Sequence, residues 1–83
     1  SDLFEYLVSL AEALSSRGEH ELASEVEFAS RFATGSASEF LHYALEALKK
    51  VNATVTALDN STIAEISGVI AQIEDAFDAI GGA

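Results

Sequence analysis

The chain has no cysteine, which excludes a disulfide scaffold, a thiolate zinc site and a thiol nucleophile. It is equally poor in cations. Arg17, Arg31, Lys49 and Lys50 stand against 14 acidic residues, for a net charge of -10. Phosphate backbones are held by clustered Lys and Arg, so this supply excludes nucleic acid as a partner class. Anionic membrane surfaces are disfavoured for the same reason. No apolar run reaches the roughly 18 residues of a membrane-crossing helix. The start, Ser1-Asp2, lacks the basic and apolar regions of a signal peptide, and the resulting expectation is a cytoplasmic protein. Methionine, proline and tryptophan are also missing.

What is present is apolar and helical in period. The 83 residues, 49% of them hydrophobic, suit one domain spanning 1–83 and leave no room for a second. Four segments carry stripes at three- and four-residue steps, and none alternates as a strand does. Leu3, Leu7, Leu10 and Leu14 line the first, with Asp2 and Glu5 as a capping-box pair and Gly18 as its stop. The second runs from Glu19 to Gly35, with Leu22, Val26, Ala29 and Ala33 on one face and Phe28 and Phe32 flanking it. Ser36 and Glu39 form a second capping box, opening a third helix. Its stripe of Leu41, Ala44, Leu48, Val51, Val55 and Leu58 predicts a helix continuing to Leu58, since β-branched residues cost only a few tenths of a kcal/mol each. Asp59-Asn60 is the break, Thr62 with Glu65 is the expected cap of the fourth helix, and Gly81-Gly82 is its stop. All five Ile lie in that last segment, whereas Leu lines the first, a contrast that favours interdigitation between different helices.

Short connections predict antiparallel neighbours, hence an all-α, four-helix up-down bundle made of a short hairpin (2–33) and a longer one (37–80). Helices of about 20 and 19 residues in the longer hairpin would outreach partners of about 15 by roughly 7 Å. Val55, Leu58, Ile63 and Ile66, near that tip, would then be incompletely covered. Leaving several such side chains wet is costly, at roughly 1.5–3 kcal/mol each. The reading is a two-fold homodimer joined through these four residues.

Candidate chemistry is sparse. Glu39, His42 and Glu46 share one side of the third helix, and a Glu-x-x-His step of this kind occurs in di-iron bundles. Those sites need two such steps facing the core, whereas this single step points away from the Leu41/Leu48 stripe; it is a weak metal candidate. Glu74, Asp75 and Asp78 oppose the dipole at the end of the fourth helix, which suggests a cation or a basic protein surface as partner. Glu25 lies within an apolar face, where pairing with an Arg, snorkelling to the edge and acid–base action are the open readings, but spacing sets no nucleophile beside it. A carrier-type protein has this size and acidity, yet holds its prosthetic group on a Ser in an Asp-Ser-Leu type motif; Ser36 is flanked here by Gly35 and Ala37. The composition is shared and the motif is not.

With no catalytic constellation and no cofactor motif, the reading is a small acidic, non-enzymatic helical module for protein interaction and self-association. The alternatives are a carrier-type or small-ligand-binding bundle and, further off, a metal-binding one.

Overall fold

In the computed structural model, which describes residues 2–54 and 58–80, three of the four α-helices begin where a side chain accepts from a first-turn amide, and the second begins at Glu19 without one. Helix α1 spans Leu3–Ser16, and the Asp2 carboxylate accepts from the Glu5 amide at 2.9 Å. Its end is a complete Schellman turn. The Glu19 amide donates to Leu14 O at 2.9 Å and the Gly18 amide to Ser15 O at 3.0 Å, with Gly18 at φ 84°, where a side chain would be strained. Helix α2 covers His20–Ser30, α3 Ala37–Thr54 and α4 Asn60–Ile80. Among the described residues these four α-helices and one 3-10 turn make up the regular structure, and there is no strand.

Three local expectations are corrected. The second segment does not stay α-helical to Gly35: it tightens into a 3-10 turn over Arg31–Thr34. Ser30, buried just before it, donates its hydroxyl back to Glu27 O at 2.6 Å, the kind of local bond that competes with regular helix geometry. The third helix is described to Thr54 and does not include Leu58. The cap of α4 explains why. Asp59, and not Thr62, is the capping side chain, accepting from the Thr62 amide at 2.9 Å and the Ser61 hydroxyl at 3.2 Å. A capping residue needs non-helical backbone, so the chain has to leave the helix before Asp59. Hydrogen bonds from the Thr62 side chain, the Thr62 amide and Ser61 hold the Asp59 carboxyl below its usual range. Ser36 keeps its expected place, accepting from the Glu39 amide at 3.5 Å. Gly81-Gly82 lies outside the described residues.

Consecutive helices pack on one another: α1 on α2, α2 on α3, α3 on α4. The core draws Leu7 and Leu14 from α1, Val26 from α2, Leu48 and Val51 from α3, and Ile66 from α4, all fully buried. Ala23 and Ala29 on α2 and Ala44 and Ala47 on α3 are also buried. Small side chains on both helices let their backbones come close. The radius of gyration, 12.1 Å, is close to the roughly 11.8 Å of a compact chain of this length.

The α3–α4 tip is not bare. Leu58 is 6% exposed and Ile66 0%, both inside the chain's own core, so the premise of incomplete cover fails for them. Leaving the helix lets Leu58 fold inward instead of standing on a projecting turn. Ile63 is half-buried against the same core, and Val55 lies outside the described residues.

Candidate functional site

Among the described residues Phe4, Phe28 and Ile80 are exposed large hydrophobic side chains, and two surfaces stand out. The first surrounds Phe28. Its stripe neighbours Leu22, Val26 and Ala29 enter the core, but Phe28 sits beside that face and is 49% exposed. Flanking the core in sequence did not bring it cover. Two aromatic rings meet it: Phe32 edge-on with centroids 5.2 Å apart, and Tyr43 edge-on at 5.7 Å. Phe32 and Tyr43 stack at 4.4 Å, and the His42 ring meets Tyr43 at 5.2 Å. A cleft of about 490 Å³ lies against this cluster, bounded by Ser24, Glu25, Glu46 and Ala47.

Of the two acids bounding this cleft, Glu25 is paired. Lys50 Nζ lies 2.9 Å from Glu25 Oε2, and Arg31 reaches Glu27 at 3.5 Å on the neighbouring turn. The Glu25 carboxylate raises the Lys50 ammonium above its ordinary pKa, first by hydrogen bonding and then by charge. Lys49, next in the chain, points to the other neighbour and pairs with Glu74 of α4 at 3.4 Å. Consecutive helix positions diverge by about 100°, so one Lys-Lys step ties α3 to both α2 and α4. Sequence reading missed these pairs, although adjacent lysines in so acidic a chain were a signal for them.

The second surface is the seam between α1 and α4, which barely meet. The Ile stripe of α4 is consequently only half used. Ile66 and Ile73 are buried, Ile63, Ile70 and Phe77 are half-buried, and Ile80 is 52% exposed. Leu7, Leu10 and Leu14 of α1 and Ile66 and Ile73 of α4 nonetheless share one core. A cleft of about 360 Å³ opens there, with Leu3, Tyr6, Leu41, Val69 and Ile73 among its walls. A second, of about 400 Å³, continues past Tyr6 and Glu65 towards Ser9 and Ala13. The Tyr6 hydroxyl is sealed from solvent and has no hydrogen-bond partner among the described residues. Burial, helped by the Glu65 charge, pushes its pKa up to about 12, so the phenol stays a neutral donor.

The remaining candidates separate. Glu39, His42 and Glu46 are all exposed, and among the described residues no group of three or more His, Asp or Glu is placed to hold a metal. Glu74 is engaged by Lys49, while Asp75 and Asp78 stand exposed. Ser36 is occupied as the cap of α3. Glu25, half-buried, is an ion-pair partner. No helix among the described residues is long and apolar enough to cross a membrane. Comparison with family models, curated proteins and solved structures finds no match.

Proposed function

We propose that the chain is a non-catalytic, up-down helical bundle that works by binding protein, in the first instance a second copy of itself. The observation that supports this is the Phe28 surface, where an aromatic side chain stays 49% exposed although the chain has a full core. Exposed aromatics are enriched where proteins meet. Two copies that each carry a charge of -10 repel, so a self-pairing surface has to be locally compensated. The Lys50–Glu25 pair supplies part of that compensation beside Phe28. The dimer is therefore assigned to Phe28, Phe32 and Tyr43, not to the α3–α4 tip, whose Leu58 and Ile66 are spent in the core.

Light scattering after size exclusion tests this at about 100 µM, where a micromolar dimer is mostly formed. A dimer mass that Phe28→Glu converts to monomer, with helicity unchanged, is the expected outcome. A monomer in the unmodified chain overturns the self-association, and a dimer indifferent to Phe28→Glu overturns its interface.

A further inference from the structure

Building on the reading of the chain as an interaction module, we infer that the α1–α4 seam is a second docking groove, and that its occupant is a basic amphipathic helix of another protein. The groove is long. Its α4 wall runs from Thr62 to Ala76, about 21 Å at helical rise, which matches a helix of roughly four turns. Towards Ala76 its floor is apolar, made by Leu3, Leu41, Val69 and Ile73, and such a floor receives the apolar face of a helix; towards Thr62 the lining turns polar, with Glu5, Ser9 and Glu65.

Its rim is of one sign. Every charged residue lining the two clefts is a carboxylate: Asp2 and Glu65 in one, Glu5 and Glu65 in the other. At the Phe28 surface, by contrast, one of the two acids bounding the cleft, Glu25, is paired with Lys50. A second copy would bring its own acids to this rim, so the seam suits a foreign, cationic partner. Lys and Arg fit physically, since their stems can lie along the apolar floor while the charged heads reach the rim. Tyr6 and Glu65 line both clefts, and the Tyr6 hydroxyl is sealed beneath them and takes no part in docking. The Coulombic rim steers and selects, and the apolar floor supplies the contact area.

The test uses the full chain carrying Phe28→Ser, so that self-association does not enter. The probe is a fluorescent peptide of about 18 Leu and Lys residues patterned with helical period, compared with the same composition in strict alternation. The helical-period peptide is expected to bind, with the alternating one weaker by about tenfold or more. Glu65→Lys is expected to weaken binding by about tenfold, and Glu65→Gln by less in the same direction. Asp75→Lys makes an identical charge change on an exposed position outside the clefts, and should cost under about threefold. Equal losses at Glu65 and Asp75, equal binding of the two peptides, or no binding would each overturn the groove. If the unmodified chain dimerises while the peptides fail, the seam alone is wrong; failure of both removes the interaction reading itself.

Discussion

Lys50 holds both carboxylate oxygens of Glu25, with Nζ 3.0 Å from Oε1 and 2.9 Å from Oε2, across the gap between α3 and α2. An exposed pair of this kind adds little to stability. Its consequence is local charge, because it sits beside the Phe28 ring cluster. Lys50→Gln should therefore leave the melting temperature nearly unchanged while weakening self-association by roughly three- to tenfold, through an uncompensated Glu25 at the contact. A dilution series followed by light scattering reads the second effect and thermal CD the first. An unchanged dissociation constant would separate charge compensation from the dimer.

Tyr6 makes the fold sensitive to alkali. Its pKa is raised from 10 to about 12, first by burial and then by Glu65. A group raised in the folded state contributes its stability fully below the unfolded value and loses it as pH rises through the folded one. Urea unfolding should accordingly show a loss between pH 10 and 12. Tyr6→Phe should lack that component, and at neutral pH should be no less stable than the parent, because a hydroxyl without a partner costs desolvation and returns no bond. A neutral-pH destabilisation of Tyr6→Phe by more than about 1 kcal/mol would show that the hydroxyl is bonded in solution.

Two glycines should respond with opposite sign. Gly18 has φ 84° and open space around a would-be Cβ, so Gly18→Ala carries only the backbone penalty of the left-handed region, about 1 kcal/mol of destabilisation. Gly68 lies inside α4, also with open space, so Gly68→Ala should stabilise by about 0.5–1 kcal/mol through helix propensity. Denaturant midpoints at constant m-value measure both.

Leu58 and Ile66 should behave as core residues. Ile66→Ala is expected to cost about 2–5 kcal/mol, and the loss should not depend on protein concentration. Leu58→Glu should unfold the chain rather than merely dissociate it, since it buries an unpaired carboxylate at a position 6% exposed. A folded, monomeric Leu58→Glu protein would return the dimer contact to the α3–α4 tip.

Salt should stabilise the chain. With a net charge of -10 on 4937 Å² of surface, long-range repulsion is relieved as the screening length contracts to about 3 Å at 1 M. A melting temperature flat or falling with NaCl would mean that specific pairs such as Lys49–Glu74 outweigh the general field.

Much of the fold was legible because it is local. The Asp2 and Ser36 caps, the Gly18 stop and the four apolar stripes depend on residues within a turn or two of one another, and such periodicity can be read directly. The cap at Asp59 was misplaced by three residues because Asp, Ser and Thr in 59–62 all have the chemistry of a cap. The sites were far less legible. Phe28 and Leu58 look alike in a hydrophobic pattern, yet one is exposed and the other buried.

The sequence by itself determined that this protein is all-helical, where most of its helices begin, and that its surface is acidic. It could not determine which apolar faces meet. Tertiary structure decided that α4 packs on α3 and scarcely on α1, that Lys49 and Lys50 reach opposite neighbours, and that Tyr6 is left with a buried hydroxyl that has no acceptor among the described residues. The physical reason is that a helical stripe specifies a direction to be covered, whereas the cover depends on the volumes and crossing geometry of side chains distant in sequence.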